Sequence, residues 1–267
     1  MSEKTLLEVE GLKKYFQVGK GQTLKAVDDI SFQIKKGQTL GLVGESGCGK
    51  TTVGRTLLRI YEPDAGKILF DGKDISRVSK KEAKELTRRM QMVFQDPFGS
   101  LNPAKKIGWI LEEPLRVRGV SDRAERKRMA EEMLVKIGLD ESFYSRRPRE
   151  LSGGQRQRIS IGTALLADSR LLVADEPVSA LDVTVQSQIL KLLLDMHEER
   201  KNTLLFVSHD LNVVRCVCHR VAVLYLGEVV ESGAVEEIYH NPCHPYTRLL
   251  LASSLGENSE KEKAERN

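Results

Sequence analysis

The residues with the clearest potential for chemistry lie in one glycine-rich segment. It fits the pattern GxxxxGK[ST] and is followed by one further threonine; its residues are Gly44, Glu45, Ser46, Gly47, Cys48, Gly49, Lys50, Thr51 and Thr52. Glycines let backbone N–H groups curl around a phosphate, and a helix beginning here would add its positive dipole end. We expect Lys50 to reach the β- and γ-phosphates of a nucleotide and to assist catalysis, and the Thr51 hydroxyl to bind Mg²⁺. The alternative is an ordinary glycine-rich turn with a solvated lysine.

A pair of acids, Asp175 and Glu176, follows the apolar run 171–174. Ligands of open α/β sheets bind at the carboxyl ends of the strands, and adjacent strand residues point in different directions. We therefore expect Asp175 to support a metal ion and Glu176 to act as a general base on water. Two exposed acids that merely end a strand are the alternative.

A third pattern with anion-binding potential is Leu151-Ser-Gly-Gly-Gln155, which precedes a helical stretch. A hydroxyl and backbone N–H groups at a helix start could hold a second phosphate. The predicted binding residues are Ser152, Gly153, Gly154 and Gln155. The alternative is a helix N-cap without a ligand.

The elements that must position these residues alternate along the chain. Half-buried strands are expected at 7–10 and 30–34, and buried strands at 39–43, 171–174 and 203–208; helices are expected at 50–60, 155–166 and 183–198. Strands separated by helices indicate βαβ units and a largely parallel sheet. The segment 100–145 is rich in Arg, Lys and Glu with helical periodicity, which indicates a helical insert.

Composition narrows the class of protein. The 267 residues suit one large α/β domain, or one domain plus a subdomain. The net charge of +4 gives no indication of a nucleic-acid partner, and the four cysteines show no CxxC pattern, so reduced thiols are expected. The start has no signal-peptide pattern, and no apolar run approaches the ~20 residues that span a bilayer. Any work at a membrane would therefore need a separate membrane protein.

The three motifs, which follow one another in the chain as the glycine-rich segment, Leu151–Gln155 and the acid pair, resemble those of ATP-binding cassette (ABC) ATPases, and the resemblance runs from about residue 6 to residue 251. The resemblance implies an α/β fold: a P-loop NTPase core with a mainly parallel sheet, an N-terminal antiparallel β subdomain and an inserted α-helical signature subdomain at about 100–160. The ATPase domain would cover 1–256, including a short motif tail at about 238–253. Residues 257–267 are expected to form a disordered tail.

The same resemblance assigns further site residues, with ATP and Mg²⁺ as cofactors. Gln95 resembles the glutamine that touches Mg²⁺ and water and senses the membrane partner, and Asp182 lies in the loop that crosses the dimer interface. His209 resembles the switch histidine that contacts the γ-phosphate. Phe16 is the expected adenine-stacking aromatic, with Tyr15 as the fallback and core packing as the alternative. In such dimers the Ser152 motif of one subunit caps the ATP held by the other.

Two stretches resemble oligopeptide and dipeptide importers in particular: 94–103, and Asn241-Pro-Cys-His-Pro-Tyr-Thr247. The stretch 175–182 is similar to that of the second, F-type ATPase subunit. The resemblance implies a peripheral subunit on the cytoplasmic face of the membrane. Its partners would be a paralogous ATPase (or a second copy), two transmembrane permease subunits and, indirectly, an extracytoplasmic peptide-binding protein, with no nucleic acid.

The chain departs from its relatives at two places. Only Cys243 lies where some relatives carry several cluster-binding cysteines, so no iron–sulfur cluster is expected, and Gly162-Thr163 stands where relatives often have Ala-Arg. Three alternatives stay open: a soluble cassette ATPase that acts on ribosomes or DNA, a nucleotide-binding regulatory subunit without turnover, and an importer of nickel or oligosaccharide.

Overall fold

The computed structural model describes residues 4–19, 21–95, 99, 101–179 and 181–253. Its strands are β1 (Thr5–Val18), β2 (Gln22–Lys35), β3 (Thr39–Val43), β4 (Ala65–Phe70), β5 (Lys73–Asp74), β6 (Met90–Val93), β7 (Leu171–Asp175), β8 (Thr203–Ser208), β9 (Arg220–Tyr225) and β10 (Glu228–Ala234). Its helices are α1 (Lys50–Leu57), α2 (Lys80–Arg89), α3 (Ile107–Arg118), α4 (Arg123–Lys136), α5 (Gly153–Leu166), α6 (Val183–Arg200), α7 (Leu211–Val217), α8 (Val235–His240) and α9 (245–253). The described residues form two compact units, one from those within 4–79 and 203–253 and one from those within 80–202.

The first unit contains an antiparallel sheet in the order β2-β1-β4-β5. The β1–β2 ladder runs from Thr5 opposite Lys35 to Val18 opposite Gln22, with several bulges. Both strands are far longer than the half-buried segments 7–10 and 30–34 predicted from alternation. The reason is that only one part of the hairpin covers the core, so its outer part carries no apolar alternation.

The first unit also contains the strands β10, β9, β3 and β8, in that order across the sheet. β3 lies between β8 and β9 and is parallel to both, and all five of its residues are buried. A strand buried on both faces needs an uninterrupted apolar sequence, which is why its bounds were predicted correctly. The antiparallel β9–β10 hairpin turns at Leu226 and Gly227, whose φ values of 48° and 87° suit the mirror-image turn of such hairpins.

The second unit combines the parallel pair β6–β7 with α2 to α6. Glu112 of α3 is buried and accepts hydrogen bonds from Arg116 and Arg126, and from the Tyr144 hydroxyl. Its carboxylate thereby connects α3 to the start of α4 and to the turn Glu141–Ser145. Gly162 of α5 faces α4, where an added Cβ would lie 3.1 Å from Met133 Cγ. The absence of a side chain at Gly162 therefore permits a close helix contact.

Three helix boundaries differ from the sequence prediction: α6 ends at Arg200 and not at residue 198, and the other two have local reasons. α1 ends at Leu57 and not Ile60, because Arg59 adopts a left-handed conformation with φ of 60°. α5 begins at Gly153, two residues earlier than predicted, because Ser152 caps it. Across the part of the chain that the structure describes, no helix combines the length and apolarity needed to cross a bilayer. The tail predicted at 257–267 and the domain end at 256 lie outside the described residues.

Candidate nucleotide-binding site

The glycine-rich loop joins the end of β3 to the start of α1 in the first unit. Gly44 and Gly49 have φ values of 151° and 110°, which favour glycine. A Cβ on Gly44 would lie 2.2 Å from the Leu224 carbonyl oxygen, and one on Gly49 would lie 2.1 Å from that of Ala26. Both glycines are therefore required by close backbone contacts. These two glycines make room for the loop against β2 and β9, in addition to any role towards a phosphate.

Lys50 is the buried cation of this loop, with only 5% of its surface exposed. Its Nζ donates to the carbonyl oxygens of Gly44 at 2.7 Å and Glu45 at 2.8 Å. The ammonium group thus lies inside the curve of the loop. This position contradicts the alternative of a solvated lysine on an ordinary turn.

Cys48 is buried beneath the loop. Burial raises the pKa of its thiol, so the thiol stays protonated at neutral pH. Its backbone carbonyl accepts the Gly227 N–H at 3.0 Å. The burial and the protonated thiol indicate that Cys48 is present for its small size and not for thiol chemistry.

His209 lies at the same end of the sheet as the loop. It follows Ser208 directly, and Ser208 pairs with Val43, the residue that precedes Gly44. The next residue, Asp210, caps α7 by accepting the N–H groups of Asn212 and Val213. This cap fixes the backbone on which the exposed His209 side chain is carried.

Phe16 lies half-buried on β1, and the edge of Tyr61 packs against it with 5.3 Å between ring centroids. Lys14 Nζ lies 5.3 Å from the centroid of the Phe16 ring. Tyr15, the fallback, donates its hydroxyl to Asp28, and this hydrogen bond raises its pKa. Phe16 is half-exposed and so is not a fully buried core residue, and its role in stacking on adenine stays a prediction.

We expect Phe16→Ala to weaken ATP binding by about 5- to 150-fold, because stacking of a base on an aromatic ring contributes about 1–3 kcal/mol. Phe16→Tyr should keep most of the affinity, since it retains the ring. Titration with a fluorescent ATP analogue would measure both variants. Unchanged affinity in Phe16→Ala, with a loss in Tyr15→Ala, would move the assignment to Tyr15.

In the second unit, β6 and β7 bring two predicted site residues together. The strands are parallel with Val93 opposite Ala174, so Gln95 and Glu176 each follow two residues later. Gln95 Nε2 donates to Glu176 Oε2 at 2.9 Å. Residues 96–98 and 100 of the surrounding motif lie outside the described part of the chain.

The two acids of the pair occupy different environments, as alternation predicts. Asp175 is fully buried at the end of β7, whereas Glu176 is half-buried. Glu176 has φ of 46°, a left-handed conformation that costs a non-glycine residue about 1–3 kcal/mol. Ser179 stabilises it, because its hydroxyl donates to the Glu176 carbonyl at 3.1 Å. The carboxylate is thus held in a defined position by its own backbone and by Gln95.

Gln157 is a site-supporting residue that the sequence analysis missed. It lies on α5 and has no exposed surface. Its Nε2 donates to the carbonyl oxygens of Pro177 at 2.9 Å and Phe94 at 3.4 Å, and so joins the segments that follow β7 and β6. The sequence signal that could have indicated Gln157 is its polar side chain on the apolar face of the helix, four residues before Ile161.

The other predicted residues of the second unit lie at helix starts. Ser152 caps α5 in a reciprocal arrangement: its Oγ accepts the Gln155 N–H, and Gln155 Oε1 accepts the Ser152 N–H. Gly153 and Gly154 form the first turn of this helix. Asp182 caps α6 by accepting the Val185 N–H at 3.0 Å. These caps explain the local sequence, and a nucleotide role for them stays a prediction.

A glycine-rich loop that encloses a buried lysine, between a parallel strand and a helix, defines a P-loop nucleotide-binding protein. Comparison with known proteins gives the family. The ABC transporter model matches residues 27–179, and the model for the C-terminal region of oligopeptide/dipeptide transporters matches residues 230–267. The chain belongs to the ABC transporter family and is an ATPase of that family.

Individual relatives agree with this assignment. The chain is 49% identical to the oligopeptide transport ATP-binding protein AppF of Bacillus subtilis (strain 168), over 94% of this chain and 79% of that protein. It is 47% identical to OppF of the same organism, over 95% of this chain and 83% of that protein. A solved ATP-binding cassette in a dimeric, post-hydrolysis state bound to ADP and Pi superimposes with a TM-score of 0.81 at 30% identity, covering 86% and 99% of the two chains. The predicted fold class is confirmed.

Proposed function

We propose that this chain is the ATP-hydrolysing subunit of an importer of dipeptides or oligopeptides, acting through a separate membrane permease. The match at residues 230–267 to the oligopeptide/dipeptide transporter C-terminal region carries the peptide assignment, because it lies on the same chain as the cassette. Relatives named as peptide or oligopeptide ATP-binding proteins support it at 45–49% identity.

The donor types of the predicted residues suit a nucleotide bound with Mg²⁺. The proposed metal-binding residues are Asp175, Thr51 and Gln95, and carboxylate, hydroxyl and amide oxygens are the ligands that Mg²⁺ prefers. When bound, the ion would neutralise charge on the phosphates. The adenine would stack on Phe16, and the phosphates would lie against N–H groups of residues 44–52 other than that of Glu45, which is donated to the Tyr246 hydroxyl.

The proposed catalytic chemistry uses three side chains, and a fourth holds one of them in position. Lys50 binds the β- and γ-phosphates with its ammonium group, which already lies within the loop. Glu176 accepts a proton from the attacking water, and Gln95 holds that carboxylate in position with its amide N–H. His209 donates to the γ-phosphate from the end of β8.

The proposed assembly is a dimer of two cassettes with ATP between them. Ser152, Gly153, Gly154 and Gln155 of one subunit would cap the ATP bound by the other, and Asp182 would lie at the interface. The partner is a paralogous ATPase or a second copy of this chain. Two transmembrane permease subunits and an extracytoplasmic peptide-binding protein complete the importer, with this chain on the cytoplasmic face of the membrane.

Native purification tests the assembly directly. The tagged chain would be purified from its own membranes in mild detergent, and its partners identified by mass spectrometry. We expect two multi-span permeases, a paralogous ATPase and a peptide-binding protein. Ribosomal or DNA-repair proteins without a permease would contradict the transport assignment and leave the ATPase chemistry intact. A nickel- or oligosaccharide-binding receptor would contradict the peptide assignment alone.

A further inference from the structure

The C-terminal motif of this chain is attached to the phosphate loop by a direct hydrogen bond. Tyr246, on α9, is only 8% exposed, and its hydroxyl accepts the backbone N–H of Glu45 at 3.1 Å. Burial raises the pKa of this phenol, so it stays a neutral hydroxyl at physiological pH. The ring also packs on Tyr225, with 4.2 Å between centroids.

The bond from Tyr246 acts on the peptide group that also holds Lys50. The N–H of Glu45 and the carbonyl of Gly44 belong to one planar peptide unit, so a rotation of one rotates the other. Tyr246 fixes the N–H end, while the Gly44 oxygen accepts the Lys50 Nζ at 2.7 Å. The orientation of the carbonyl that holds the buried ammonium therefore depends on the Tyr246 hydroxyl.

Glu231 of β10 anchors the segment that carries Tyr246. Its two carboxylate oxygens accept the N–H groups of Cys243 at 2.7 Å and His244 at 3.0 Å. Burial opposes ionisation of Glu231, but hydrogen bonds to the carboxylate outweigh it, and its pKa is lowered. The start of the C-terminal segment is thus fixed to the same unit that contains the phosphate loop.

We propose that Tyr246 is a positioning residue for nucleotide binding, which holds the Gly44–Glu45 peptide in the orientation that places Lys50. The proposal rests on the proposed binding of ATP at this loop. Glu231 acts on the loop indirectly, because it holds the segment that carries Tyr246. The C-terminal motif then contributes to ATP affinity from outside the phosphate-binding sequence.

The test is the substitution Tyr246→Phe, which removes only the hydroxyl oxygen of the side chain. In a Glu176→Gln background, which prevents consumption of the ligand, Tyr246→Phe should raise the ATP dissociation constant by about 3- to 10-fold in calorimetric titration with Mg²⁺. In the otherwise wild-type chain the same change should raise KM by a similar factor and leave kcat within about twofold. A general loss of folding would not produce this division between KM and kcat.

Tyr239→Phe is the matched control, because it also removes the hydroxyl of a half-buried tyrosine bonded to the backbone, here to the Leu211 carbonyl. It should leave ATP affinity unchanged. Glu231→Gln, which loses one accepting oxygen, should weaken ATP binding in the same direction. Added to Tyr246→Phe, it should cause little further loss, since both changes act through one contact.

Two results would overturn the inference while the ATP site stands: affinity in Tyr246→Phe within twofold of the parent, or an equal loss in Tyr239→Phe. If Tyr246→Phe does not fold, Glu231→Gln decides the test, and an ATP affinity within twofold of the parent would then overturn the inference. A parent chain that does not bind ATP would overturn the proposed site, and this inference with it.

Discussion

Glu176→Gln is expected to lower the rate of ATP hydrolysis by about 10²–10⁴-fold while ATP still binds, because an amide cannot accept the proton of the attacking water. The change preserves the size of the side chain and an oxygen for the hydrogen bond from Gln95. Steady-state phosphate release measures the loss, and calorimetric titration measures the retained affinity. In a sandwich dimer, the variant should also accumulate as ATP-bound dimers in size-exclusion chromatography.

Glu132→Gln is the matched control for this variant. Glu132 is an exposed acid on α4 that pairs with Arg128, and such surface pairs contribute little to stability. The Glu132→Gln variant should hydrolyse ATP at the parental rate. Parental turnover in Glu176→Gln would show that another group accepts the proton.

Lys50→Ala is expected to weaken ATP binding by about 10- to 150-fold, since a hydrogen bond to a charged group contributes about 1.5–3 kcal/mol. The variant also leaves the Gly44 and Glu45 carbonyls without their ammonium donor, which loosens the loop. Lys50→Arg should not restore binding, because a planar guanidinium does not replace a compact ammonium in a buried site. Titration with ATP measures each variant.

Lys36→Ala controls for the loss of a positive charge in the same unit, because Lys36 forms a surface ion pair with Asp71. It should bind ATP as the parent does. Parental affinity in Lys50→Ala, or an equal loss in Lys36→Ala, would contradict a specific role of Lys50 at the phosphates.

The bounds of an element were predicted most accurately where the element is buried on both faces. The predicted bounds of β3 and β8 were correct, because a fully buried parallel strand has a continuous apolar sequence. β7 was one residue longer than predicted. The hydrogen bond between Gln95 and Glu176 could not be predicted from the sequence. It depends on the register of β6 against β7, and 78 positions of the chain separate the end of β6 at Val93 from the start of β7 at Leu171. No local pattern specifies that register.

The residues that sequence analysis missed act through long-range contacts. Gln157 joins two loops from a helix, and Tyr246 reaches a loop about 200 residues earlier in the chain. The left-handed backbone of Glu176 was also not predictable, because propensity disfavours it and the surrounding structure imposes it. Strained or distant groups of this kind are expected near functional sites.

Peptide uptake by living cells tests most directly whether hydrolysis by this chain energises import. A strain lacking the chain would be complemented with the parent or with Glu176→Gln, and uptake of labelled dipeptides and oligopeptides measured at matched protein levels. We expect the deletion to abolish uptake of at least one peptide class, the parent to restore it and Glu176→Gln to fail. Undiminished uptake in the deletion strain, or full restoration by Glu176→Gln, would contradict the proposed function.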